Sequence, residues 1–121
     1  MPIETNHLAV DGDRWRAFGD DPYLVYALPK PTYVSGVRIR FTITSLDRGP
    51  ANLQIFWGLA GVRGFEQGRR SAIQPVSGEP VQQEVTFWIY DRLDRLRIDP
   101  DSRPCSVSID GLTILVREPQ P

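Results

Sequence analysis

The chain has 121 residues, a formal net charge of −1 and one cysteine, Cys105. That length fits one domain with one hydrophobic core, and the fractions of hydrophobic residues (40%) and charged residues (24%) are those of a folded protein rather than a disordered one. The balanced charge gives no indication of the basic surface typical of nucleic-acid-binding proteins. A single cysteine excludes an internal disulfide, and no apolar run reaches the roughly 20 residues that a membrane-spanning helix needs.

Apolar and polar residues alternate along several short segments, which is the period of half-buried β-strands. In the clearest segment Val37, Ile39, Phe41 and Ile43 share one face. The predicted strands lie, in chain order, at residues 15–18, 23–27, 37–44, 52–57, 85–90, 93–98 and 105–115, of which the first, second and sixth are weaker.

Turn-forming residues separate these strands. The Asp-Arg-Gly-Pro run at 47–50 predicts a hairpin that links the strands at 37–44 and 52–57. Asp110 and Gly111 predict a bulge within the closing strand. Residues 91–97 also fit a helix, because Leu93 and Leu96 are three apart; we favour a strand there, since predicted strands flank the segment and Asp99-Pro100 ends it.

This pattern predicts an all-β fold, an antiparallel two-sheet β-sandwich of the jelly-roll type. No segment of helical length separates the strands, so a parallel sheet is not expected. We expect a single domain over residues 1–121, with residues 1–13 and 117–121 loosely held. The predicted core consists of Val37, Ile39, Phe41, Ile43, Leu53, Ile55, Val85, Phe87, Ile89, Leu96, Ile98, Val107, Ile109 and Ile114.

The sequence lacks the residue sets that catalysis or metal binding requires. His7 is the only histidine and lies in the N-terminal segment, while Cys105 begins an apolar strand, where a small buried thiol is usual. Zinc needs more such ligands. Asp11, Asp13, Asp20, Asp21 and Asp110 could supply oxygen ligands to calcium, but turn and bulge chemistry also explains them, and we predict no tightly bound calcium. We expect no cofactor and no catalytic residue.

A sugar-binding surface is indicated by the outward positions of three strands. Sugars stack on aromatic rings and accept hydrogen bonds from arginine and amide groups. Trp88 and Tyr90 are the predicted stacking residues, and Arg38, Arg40 and Gln54 the predicted donors. The alternative is that the two rings pack beneath a loop and the arginines form a solvated face.

The loop over residues 58–70 is a second candidate for ligand binding. Its ligand-binding candidates are Arg63, Glu66 and Arg70, and sandwich proteins often bind ligands through long loops at one end. The alternative is an arginine-rich loop with no ligand. Its glycines match no phosphate-binding motif.

Four segments of the chain resemble a known group of domains, and together they span roughly residues 15–115. They are WRAFGDDPY at 15–23, QIFW with the following glycine loop and Phe65 at 54–65, LRIDP at 96–100 and VSIDGLTI at 107–114. The run is similar to β-sandwich modules attached to bacterial glycosyltransferases, and its closing strand is similar to that of galactose-binding-like jelly rolls. The resemblance implies a jelly-roll fold and an accessory role in positioning an enzyme on a glycan.

The predicted function is therefore that of a non-catalytic carbohydrate-binding module, with weak affinity for a glycan and an attached or associated catalytic domain as a second partner. The alternative is a protein-interaction or structural domain that packs against a catalytic domain or against itself. We expect neither nucleic acid nor membrane as a partner. Residues 1–13 show none of the basic and apolar regions of a signal peptide, so we expect a cytoplasmic location.

Overall fold

A computed structural model describes residues 2–19, 21–59 and 70–116 of the chain. These residues form β-strands joined by turns. The eight strands are β1 (Glu4–Asn6), β2 (Leu8–Asp11), β3 (Arg14–Ala17), β4 (Tyr23–Ser45), β5 (Ala51–Gly58), β6 (Ser71–Val76), β7 (Gln83–Asp99) and β8 (Cys105–Leu115). No helix among the described residues is long and apolar enough to cross a membrane.

Two long strands, β4 and β7, pair with each other along most of their length and belong to both layers of the fold. Their register shifts twice, between Ala27 and Thr32 and between Val34 and Gly36. Bulges increase the local twist of a strand, and these two shifts lie where the paired strands pass from one layer to the other.

The back sheet contains β1, the first part of β4, the second part of β7, β5 and β6. The front sheet contains β2, β3, β8, the second part of β4 and the first part of β7. All strand pairs are antiparallel. The predicted all-β antiparallel sandwich is thereby confirmed.

The hydrophobic core lies between the two sheets, because apolar residues of both belong to one buried cluster. Leu24, Ile55 and Ile98 enter it from the back sheet, and Ile39 and Phe41 from the front sheet. Twelve of the predicted core residues are buried, whereas Ile109 and Ile114 pack against the cluster and stay partly exposed. Alternation therefore identified the inward face correctly on most strands.

Two predicted details of the chain path are confirmed. Residues 91–97 are strand, as part of β7. The closing strand is bulged at Asp110, since Arg40 pairs with Gly111 while the next residue, Phe41, pairs with Ile109.

The predicted hairpin at residues 47–50 is wrong. The turn is present, with the backbone N–H of Gly49 donating to Asp47 at 2.9 Å, but β4 and β5 do not pair with each other. The turn instead carries the chain from the front sheet to the back sheet. Turn chemistry identifies a reversal of the chain and leaves open which strand comes to lie beside it.

The N-terminal segment, which was expected to be loosely held, contains two strands. Within residues 2–13 the chain forms β1, which pairs with the first part of β4, and β2, which pairs with β3. Residues 117–121, the other stretch expected to be loose, lie outside the described residues.

Candidate functional site

Two exposed, nearly parallel aromatic rings lie on the outer surface of the front sheet. The Trp88 and Tyr90 side chains are 59% and 57% exposed. Their ring centroids are 6.1 Å apart, and the ring planes differ by only 16°. Exposure of two large, nearly parallel rings leaves apolar faces available to a ligand. We call this pair the aromatic platform.

The backbone beneath the platform makes room for the indole. Gly36 pairs with Trp88 across the strands, and a Cβ at Gly36 would lie 2.8 Å from the carbonyl oxygen of Phe87 and 3.1 Å from Cε3 of the indole. Only glycine lets the indole lie this close to β4. Tyr90 has a positive φ of 50° and sits within the second register shift, a left-handed conformation that is uncommon outside glycine.

Arg38 lies on the same surface as the platform. It pairs with Thr86, which precedes Trp88 by two residues on β7. Its Nε donates to Thr86 Oγ1 at 3.4 Å and lies 3.8 Å from Oε1 of Glu84. These contacts keep the guanidinium beside β7, near the aromatic platform.

Arg40 is further along the same face, opposite Glu84 and Gly111. Its guanidinium lies above Gly111, where a Cβ would meet Nη2 at 3.1 Å, and Nη2 donates to the carbonyl oxygen of Asp110 at 3.4 Å. The structure therefore brings together four of the predicted ligand residues, the platform pair and the two arginines, on one outer face.

A polar cleft of about 280 Å³ lies on the same face, at the end distant from the platform. Asp13, Arg14 and Asp110 are its charged residues, and Asp13 and Arg14 form an ion pair of 3.9 Å. The Asp110 carboxylate accepts hydrogen bonds from Thr42 at 3.4 Å, Gln82 at 3.2 Å and Ser108 at 2.5 Å. Burial alone would raise the pKa of Asp110, but these hydrogen bonds and the charge of Arg40 together hold that pKa below its ordinary value. The carboxylate is thus a preformed, charged acceptor. We call this site the Asp110 cleft.

Sequence reasoning missed the Asp110 cleft as a binding site. It placed Asp110 in a bulge, which the structure confirms, and named it among the residues that could supply oxygen ligands to calcium. The bulge turns Asp110 towards Thr42 on the neighbouring strand. Hydroxyl residues at Thr42, Thr44, Ser106 and Ser108 on adjacent strands were the available signal.

Gln54 lies apart from the other predicted donors. It is on β5 and pairs with Asp99 and Ile73, which places it on the outer face of the back sheet. Alternation had shown that Gln54 points outward, but the predicted grouping also required β5 to lie beside β4 and β7 in the front sheet. The structure therefore does not join Gln54 to the aromatic platform.

The surroundings of Gln54 are dominated by Arg97. Its guanidinium lies 3.9 Å from the ring centroid of Tyr23 and 4.9 Å from that of Phe56, and it makes two hydrogen bonds of 2.7 Å to Asp99. Burial raises the pKa of Asp99, and the contact with Arg97 offsets only part of that rise. Phe56 is buried beneath this arginine.

The second predicted region, the loop over residues 58–70, is described only at its two ends. Arg63 and Glu66 lie outside the described residues. Arg70 is partly buried, and its Nε lies 3.9 Å from Oδ2 of Asp91. The same oxygen accepts a hydrogen bond of 2.9 Å from the indole N–H of Trp57. Arg70 therefore belongs to a polar group at the end of the sandwich, separate from the face that carries Arg38 and Arg40.

The two residues with nucleophile or base chemistry are held in structural roles. The His7 imidazole accepts a hydrogen bond from the backbone N–H of Asp21 at 3.2 Å. Cys105 is buried, and burial raises the pKa of its thiol to about 12, which keeps it in the unreactive thiol form. Within residues 2–19, 21–59 and 70–116, no group of three or more His, Cys, Asp or Glu residues is arranged to hold a metal ion.

Comparison with known proteins gives structural neighbours at low sequence identity. No family model matches the chain, and no curated protein matches it either. A chain from the crystal structure of reduced XRCC1 bound to the DNA polymerase beta catalytic domain aligns with a TM-score of 0.58, at 14% identity over 98% of this chain and 100% of that one.

Two further structural neighbours are carbohydrate-binding modules. The xylan-binding module CBM86 from Roseburia intestinalis has a TM-score of 0.53 and 12% identity over 94% of this chain and 85% of that one. The second N-terminal cellulose-binding domain of Cellulomonas fimi β-1,4-glucanase C has a TM-score of 0.53 and 21% identity over 96% of this chain and 85% of that one. At these identities the likeness establishes a shared fold, the β-sandwich that carbohydrate-binding modules also adopt.

Proposed function

We propose that this chain is a non-catalytic carbohydrate-binding domain that binds a glycan on the outer face of the front sheet. The observation that carries the proposal is the aromatic platform, two nearly parallel rings of which more than half is exposed. A sugar presents C–H groups on the faces of its ring and hydroxyl groups around its edge, so it complements an exposed aromatic ring face beside hydrogen-bond donors. The structural likeness to xylan- and cellulose-binding modules supports the same conclusion.

Residues beside the platform suit the edge of a stacked sugar. Arg38 offers guanidinium donors, and Glu84 offers carboxylate acceptors within the same ion pair. The Arg38–Glu84 pair presents hydrogen-bond donors and acceptors side by side with no net charge, which suits hydroxyl groups better than a charged ligand. Because the face is open, we expect affinities on the order of micromolar to millimolar.

The proposal is tested by titrating the protein with a panel of neutral and acidic oligosaccharides in a calorimeter, after a glycan array has ranked them. Trp88→Ala should lower affinity roughly 30-fold, because loss of a central aromatic contact costs about 2 kcal/mol. Phe18→Ala is the matched control, since Phe18 is also an exposed aromatic residue, 66% exposed, and follows β3 on the far side of the front sheet.

Two results would count against glycan binding at this face. A blank array together with blank titrations would contradict the function itself. Equal binding by the wild type and Trp88→Ala, with both folded, would contradict the location of the site.

A second candidate function is that of an interaction domain that packs against a catalytic domain or against itself. The observation that favours it is the structural likeness to a chain from the XRCC1–DNA polymerase beta complex. Exposed aromatic residues beside arginines also have the composition of interface hot spots. Size-exclusion chromatography with light scattering separates the two candidates: a dimer lost in Trp88→Ala favours self-association, and a monomer that binds glycans favours the first proposal.

We further propose an accessory role beside a glycan-processing enzyme, and a cytoplasmic location. The resemblance to modules attached to glycosyltransferases supports the first. It is tested by asking whether the reading frame around this sequence also encodes a catalytic domain. Fluorescence microscopy of the tagged full-length protein tests the second.

A further inference from the structure

We infer that the binding face accommodates an extended, neutral oligosaccharide, with the Asp110 cleft as a second sugar-binding subsite at the end opposite the aromatic platform. This inference rests on the proposed function, and it specifies the length and charge of the ligand. A ligand confined to the platform would leave the cleft without a role in binding.

The cleft has the composition of a site for a hydroxylated ring. At about 280 Å³ it is slightly smaller than the pockets that hold drug-sized molecules, which begin at roughly 300 Å³. Thr42, Thr44, Ser106 and Ser108 contribute hydroxyl groups to its lining, and Gln82 contributes an amide. Hydroxyl and amide groups can each donate and accept, so they can match the hydroxyl groups of a sugar in several orientations.

Asp110 is oriented before any ligand binds. Its Oδ2 accepts from Thr42 and Gln82, and its Oδ1 accepts from Ser108. An ionised carboxylate has about four acceptor positions, so three internal bonds leave room for one more donor. A ligand hydroxyl that donates to the Asp110 carboxylate would form a charge-assisted hydrogen bond, which is stronger than a hydrogen bond between neutral groups.

Strand geometry fixes the separation of the two subsites. Trp88 pairs with Gly36, and Ser108 of the cleft pairs with Thr42 on the same strand, six positions further along β4. At about 3.3 Å per residue, the platform and the cleft are roughly 20 Å apart. One sugar cannot contact both, whereas a chain lying along β4 can.

The surface between the subsites is charge-balanced. Arg38 is 3.8 Å from Glu84, and Arg40 faces Asp110, whose carboxylate its charge stabilises. Two cations and two anions therefore lie along this path, and the Asp13–Arg14 ion pair adds one of each at the cleft. The face thus carries no excess positive charge to attract a chain of uronic acids. The long guanidinium groups can instead donate to the hydroxyl groups of a neutral chain.

The test is a titration series with xylo-, cello- and galacturono-oligosaccharides, from the monosaccharide to the hexasaccharide. For the neutral series that binds, we expect affinity to increase at least about tenfold between the disaccharide and the hexasaccharide. Asp110→Asn should lower hexasaccharide affinity about tenfold, the effect expected for loss of a charge-assisted hydrogen bond, and should leave disaccharide affinity within about twofold, whereas Trp88→Ala should weaken both.

Two further variants complete the test, one as a control and one as a second change within the cleft. Glu4→Gln makes the same kind of carboxylate-to-amide change at an exposed position on the back sheet and should bind like the wild type. Gln82→Ala, at an exposed position, removes one donor to Asp110 without changing its charge. It should weaken hexasaccharide binding even if Asp110→Asn proves poorly folded.

The outcomes separate this inference from the proposed function. Affinity that is independent of chain length, or unchanged in both Asp110→Asn and Gln82→Ala, overturns the extended site and leaves glycan binding at the platform intact. Tighter binding of galacturonides than of either neutral series overturns the neutral ligand class. Absence of binding across all three series at every length overturns the proposed function and this inference with it.

Discussion

Replacing Phe41 with alanine tests the packing of the two sheets. Phe41 is fully buried, and it lies on β4 where that strand pairs with Gln83 of β7 on one side and Ile109 of β8 on the other. Burial of a phenylalanine side chain contributes about 1.5–3 kcal/mol through the hydrophobic effect alone. The cavity that remains after truncation adds to this loss, and measured costs for such changes are about 3–5 kcal/mol.

The surroundings of Phe41 place the expected loss near the lower end of that range. Phe41 belongs to the lining of a groove that Pro50, Val76 and Val85 also line, so water can enter part of the space that truncation leaves. The cavity contribution is therefore smaller than in a sealed core. We expect a loss of about 3 kcal/mol in the free energy of unfolding.

Urea unfolding followed by tryptophan fluorescence measures this loss, provided that the denaturant slope is unchanged. Phe18→Ala is the matched control, because Phe18 is exposed and exposed positions change stability by about 0.5 kcal/mol or less. A loss below about 1.5 kcal/mol for Phe41→Ala, or equal losses for both variants, would refute the two-sheet packing described for this side chain.

The remaining predictions concern pH, thiol reactivity and calcium. The folded-state pKa of Asp110 lies below its ordinary value. The pKa of Asp47 is also lowered, by the Gly49 N–H and by Arg103. The two carboxylates therefore stabilise the fold above the ordinary carboxyl pKa, and this stabilisation is lost as the pH falls through their folded-state pKa values. Thermal melts between pH 7 and pH 3 should show decreasing stability, with a smaller decrease in Asp110→Asn. Cys105, with a thiol pKa of about 12, should resist iodoacetamide at pH 8 in the folded protein and react in urea; rapid alkylation without denaturant would contradict its burial. The melting temperature should be the same in excess EDTA and in added calcium, because a tightly bound ion would raise it.

Alternation in the sequence predicted most of the core because each strand exposes only one face to the interior. It could not predict the length of β4 and β7. Pro29 and Pro31 interrupt the pattern within β4, and they lie inside the first register shift, where β4 leaves its pairing with β7. A strand that crosses both layers changes its inward face at each bulge, so the pattern reads as two separate strands.

The edge strand β6 was missed for a related reason. Its residues Ser71–Val76 are partly or largely exposed, with Ile73 pointing towards solvent. Ala72 and Val76 pack against the core but stay partly exposed, so the segment shows little alternation, and Pro75 is tolerated there because edge strands need not donate on both sides. Main-chain pairing with β5 holds this strand. Such pairing leaves no pattern in the side chains, so the sequence does not reveal it.

For the candidate site, too, the direction of each side chain is a local property, whereas its neighbours depend on topology. The outward direction of Arg38, Arg40 and Trp88 is local, since it follows from alternation, and the structure agrees. Which side chains become neighbours depends on strand order. β4 and β7 are adjacent, so Trp88 and Arg38 share a face, whereas Gln54 lies on β5 in the back sheet and is separated from them.

The aromatic platform depends on both kinds of information, because the outward direction of its rings is local and the backbone that accommodates them is not. Trp88 and Tyr90 are two residues apart, so alternation alone places them on one face. The space for the indole comes from Gly36, which is 52 positions away in the sequence and becomes a neighbour only through the pairing of β4 with β7. The left-handed backbone at Tyr90 likewise belongs to the bulge between these strands. The feature that best supports glycan binding is therefore built by the register of two long strands, which also forms the two sheets of the sandwich.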